Sequence, residues 1–63
     1  MKNAMMKTEL NLADADLFYE QLTQAHTDLS RDASEALNAR LILLLANQIG
    51  DAGVLAKCIE AAT

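Results

Sequence analysis

The sequence predicts an all-α fold, a three-helix bundle or a helical hairpin with a short third helix, in which the second helix is central. Three observations lead there. Twelve alanines and eleven leucines stand against one valine and three isoleucines, a balance that favours helix over strand. Proline is absent and the two glycines are Gly50 and Gly53, so turns and breakers for a sandwich or barrel are missing. Apolar residues also recur at steps of three and four along two long stretches. Disorder is disfavoured, because 52% of the 63 residues are hydrophobic and only 22% are charged.

Residues 1–11 carry no periodic pattern and read as a flexible lead-in, with Leu10 and Leu12 able to dock onto the body. The remainder, 12–63, reads as a single helical domain, since a second core needs a much longer chain. Asp14 is an N-cap in competition with Asn11, and Asp16 and Glu20 suit the positive end of the helix dipole. Phe18, Leu22, Ala25 and Leu29 then make one face, so helix 1 is expected from about Asp14 to Asp28. Its other face is acidic. Ser30 caps helix 2, which continues without a breaker from Arg31 to Ile49 and stops at Gly50. Asp51 caps helix 3, whose apolar stripe is Val54, Leu55, Cys58, Ile59 and Ala62. The links are short, so neighbouring helices must fold back on each other.

Helix 2 carries the most information. At roughly 100° per residue, Leu37, Leu41, Leu44 and Leu45 share one face, and Ala39, Ile42, Ala46 and Ile49 the adjoining one. Together they span an apolar arc of roughly 200°, twice the stripe of a surface helix, and two short flanking helices cannot cover all of it. The remaining strip holds Arg40 and Asn47, aligned seven residues apart with Leu43 between them. One reading of that strip is structural: Arg40 bridges to acidic helix 1 and Asn47 satisfies backbone before Asp51. The other is a contact patch with Leu43 as its apolar centre, since arginine is frequent at binding hot spots. The candidates for partner contact are Leu37, Arg40, Leu41, Leu43, Leu44 and Asn47.

Chemistry is harder to find. His26 suits the C-terminal end of a helix, Cys58 lies inside an apolar stripe without a local histidine, and Asp14 with Asp16 fits capping without a ligand loop. Gly50-Asp51-Ala52-Gly53 lacks the spacing of a phosphate loop, and Ser30 and Ser34 lie on no nucleophile elbow. No catalytic constellation, cofactor or metal is therefore expected. Tyr19 and His26, also seven residues apart, leave one alternative open: a small ligand-binding protein or enzyme using a Tyr/His/Arg pocket with Arg40.

Net charge is −4; the first ten residues are net +1, so the body is −5 and offers only Arg31, Arg40 and Lys57. That excludes nucleic acid and an anionic membrane surface as expected partners. The longest apolar run, Leu41 to Ala46, is far short of a membrane span, and the N-terminal residues lack the apolar run of a signal peptide. A single cysteine fits a reducing, cytoplasmic setting. A domain this small with no disulfide calls for oligomerisation, a partner or unusually good packing. The expectation is a non-enzymatic interaction protein whose partner is itself, as a homo-oligomer, or a larger enzyme.

The string Leu37-Asn38-Ala39-Arg40-Leu41-Ile42-Leu43-Leu44-Leu45-Ala46-Asn47-Gln48-Ile49-Gly50-Asp51 resembles a family of very short bacterial proteins, the domain of unknown function 2783. The likeness extends upstream through Asp16-Leu17-Phe18-Tyr19, His26 and Leu29, and downstream to Val54-Leu55. The family often has histidine where this chain has Gln48, which speaks against proton transfer or metal binding there. Members look like stand-alone helical proteins, often encoded beside flavin-dependent aromatic hydroxylases and other aromatic-degradation enzymes. The resemblance thus implies an accessory subunit docking on such an enzyme, and brings no catalytic residues with it.

Overall fold

The computed structural model describes residues 6–63 and contains three α-helices in the order α1 (Ala15–Ala25), α2 (Arg31–Ile49) and α3 (Ala52–Ala62), with no strand among the described residues. The fold is all-α. The first five residues of the expected lead-in lie outside the described residues, and positions 6–14 precede α1 without helix.

Capping explains most of the helix boundaries. The Asp14 carboxylate accepts from the Leu17 amide at 3.2 Å, although Asp14 itself sits at φ 51, a left-handed position that aspartate tolerates better than most residues. Ser30, in extended conformation, accepts through Oγ from the Ala33 amide at 3.1 Å and opens α2. Gly50, at φ 75, ends α2 with its amide donating to the Ala46 carbonyl at 2.8 Å. Asp51 follows at once, and one of its oxygens accepts from the Gly53 and Val54 amides at 2.9 and 3.1 Å.

The end of α1 differs from the expectation. The helix stops at Ala25 rather than near Asp28. The His26, Thr27 and Leu29 amides donate to the Thr23, Gln24 and His26 carbonyls, three residues back in each case. Asp28 takes φ 61, so the chain leaves the helix through a tight turn with an aspartate in the place glycine usually fills.

The tertiary packing is open. Among the helices, only α2 and α3 bring α-carbons within 8 Å of each other; α1 and α2 stand further apart, on either side of an open cleft. The radius of gyration is 13.8 Å, against about 10.6 Å for a compact chain of this length. No described residue is buried. The exposed surface of the chain is 5636 Å², whereas a compact monomer of this mass exposes about 4,000 Å².

Candidate docking surface

α2 presents apolar side chains on nearly every side. Its first half is held by polar ends: Arg31 and Glu35 form an exposed i,i+4 ion pair at 3.9 Å, worth little in water. From Leu41 to Gly50 there is no charged residue. Leu37 and Leu41 are half-buried on the side facing α1, and Ser34 and Ala46 are half-buried as well. Ile42 and Leu44 are each 64% exposed and Leu43 is 71% exposed. Three consecutive large apolar side chains pointing in three directions cannot all be covered by an eleven-residue α1 and an eleven-residue α3.

Among the described residues, two open concavities touch this helix. The first, of about 330 Å³, runs between α1 and α2; Phe18, Leu22 and Ala25 line one wall and Leu37, Leu41 and Leu44 the other, with Gln21 and Arg40 also lining it. The second, of about 910 Å³, lies between the stretch Met6–Leu12 and the side chains of Ile49, Val54 and Cys58. Leu10 and Leu12 do line that groove, yet Leu10 remains 84% exposed.

The structure distributes the sequence candidates over both sides of α2. Leu37, Arg40, Leu41 and Leu44 share the α1/α2 cleft, whereas Leu43 and Asn47 lie outside it. Arg40 has no carboxylate within 4 Å among the described residues, so no bridge to α1 forms. Of the three residues in the alternative pocket, Arg40 lines the cleft and neither Tyr19 nor His26 does. Tyr19 is 70% exposed. His26 is half-buried, and its Nε2 lies 2.9 Å from Asn38 Oδ1, tying the end of α1 to the second turn of α2. That pairing requires the Nε2–H form of the ring, since the asparagine oxygen can only accept. Asn38 escaped sequence reasoning, and the one available signal was an amide inside an otherwise apolar arc.

Among the described residues, no three His, Cys, Asp or Glu side chains gather where a metal could sit, and no helix is long and apolar enough to cross a membrane. The model of the family described as Protein of unknown function (DUF2783) matches residues 6–63, nearly the whole chain. The chain belongs to the DUF2783 family. No curated protein and no solved structure matches it. The family match takes in the whole of α1, α2 and α3, so both the cleft and the groove belong to the part that defines this DUF2783 member.

Proposed function

We propose that this DUF2783 protein is a non-enzymatic interaction module that completes its core by association, either with copies of itself or as an accessory subunit on a larger enzyme. One observation carries the reading: a chain in which 52% of residues are hydrophobic buries none of the described ones. Water-exposed leucine and isoleucine cost free energy in proportion to area, at roughly 25 cal/mol per Å². A helix with this exposure needs a cover from outside the chain.

Self-association is the first form of the proposal. Size-exclusion chromatography with light scattering at micromolar concentration is expected to give a homo-oligomer. A strict monomer with ordinary thermal stability overturns it. Docking on an enzyme is the second form, with a flavin-dependent aromatic hydroxylase as the candidate suggested by family resemblance, in the reducing cytoplasmic setting that a lone cysteine fits. Affinity capture from the native host followed by mass spectrometry tests it. An Arg40→Ala, Leu43→Ala double variant that retains every captured partner counts against these two α2 residues as the docking patch.

A further inference from the structure

We propose that the cleft between α1 and α2 is half of a two-fold interface: a second copy of the chain packs its own cleft against it, and the two hairpins close into a four-helix bundle. This rests on the self-association reading above and names the face that it uses. The spacing on both walls is the first support. Phe18, Leu22 and Ala25 advance by four and three residues, and Leu37, Leu41 and Leu44 advance by four and three. That is the repeat of a knobs-into-holes seam, and two helices bearing it toward one open cleft form half of a bundle core.

Space is the second support. The concavity of about 330 Å³ is open to solvent yet walled mainly by leucine and phenylalanine, an apolar surface with room for another helix against it. Area agrees with it. The chain exposes 5636 Å², about 1,700 Å² more than a compact monomer of its mass. Part of that excess belongs to the irregular stretch before α1. If half of it lies on the hairpin, two copies bury about 1,700 Å² between them, within the size range of a stable, specific interface.

Charge supplies the third. Asp16 and Glu20 lie on the side of α1 opposite Phe18, so copies meeting cleft to cleft keep these carboxylates apart and in water. Among the described residues, Arg40 is the one charged side chain lining the cleft and has no carboxylate within 4 Å. A self-complementary patch of this kind closes after two copies.

A matched pair of substitutions tests the face. Leu44 and Ile42 are equally exposed in the single chain, at 64% each, but only Leu44 lines the cleft. Sedimentation equilibrium is run on the full chain, Leu44→Gln and Ile42→Gln, with helicity followed by circular dichroism. The expected result is a wild-type dimer, a dissociation constant raised at least about 30-fold by Leu44→Gln, and one changed less than about threefold by Ile42→Gln. A dimer weakened equally by both, or more by Ile42→Gln, overturns the cleft while self-association stands. A wild-type monomer overturns both, and a tetramer or larger assembly overturns the two-copy bundle. If Leu44→Gln loses its helices at every concentration, Arg40→Glu replaces it, because this exposed residue is not needed to pack the single chain. The expected loss is then at least about fivefold, and an unchanged constant overturns the arrangement.

Discussion

Gly50 closes α2 at φ 75, a conformation in which any side chain is strained, while Gly53 lies in the first turn of α3 with no positive φ. The same substitution therefore has opposite signs three residues apart. A β-carbon at position 50 meets nothing closer than the Asn47 carbonyl oxygen at 3.9 Å, so the cost of Gly50→Ala is conformational, about 1 kcal/mol or slightly more. Gly53→Ala keeps the amide that donates to Asp51 and lowers the entropy of the unfolded chain, for a gain of about 0.5 kcal/mol. Urea melts of the two variants at one protein concentration check both, and a loss for Gly53→Ala contradicts the argument. Asp28 shows what such signals miss. It holds a left-handed φ of 61 without being glycine, so the sequence carries a plain stop at Gly50 and none after Ala25. The His26–Asn38 bond escaped for a related reason. Pairing across a hairpin depends on how the turn aims α1, and here the left-handed Asp28 sets that turn.

Between elements, the Gly50-Asp51 link does the work of two caps within two residues. Its aspartate satisfies two amides of α3 that have no helical carbonyl to reach, and α2 and α3 approach each other closely. Asp51→Ala is expected to cost about 1 to 2 kcal/mol and to fray α3 first, whereas Asp51→Ser is expected to retain most of the stability. Amide hydrogen exchange at Gly53, Val54 and Leu55 distinguishes them: protection lost evenly along the chain, rather than at α3, contradicts a local cap. These boundaries were legible because each is written in one or two side chains. Arg31–Ile49 runs from its Ser30 cap to its Gly50 stop as the pattern requires. The arc of helix 2 was legible too, since angular position follows from residue number alone. Which part of the arc α1 covers was not, and this separates Leu37 and Leu41, now half-buried, from Leu43 and Leu44, which remain open.

At the scale of the molecule, folding and association should be one equilibrium. A chain with no described residue buried gains little from folding alone, so most of the apolar area that stabilises the helices is removed from water only when another surface arrives. Melting temperature must then depend on concentration. Unfolding a 63-residue chain releases about 2.1 cal/mol/K per residue, which for two chains is on the order of 260 cal/mol/K. A hundredfold dilution changes the free energy of a dimer by about 2.7 kcal/mol. Dividing one by the other places the shift on the order of 10 °C. Circular dichroism melts at 1 and 100 micromolar, in cells of matched optical path times concentration, measure it directly. A melting temperature independent of concentration would mean that the helices are held by their own chain despite the open cleft. A fall on the order of 10 °C is the signature of a fold completed by its partner, and Ile42→Gln should show the same slope while Leu44→Gln melts lower at both concentrations.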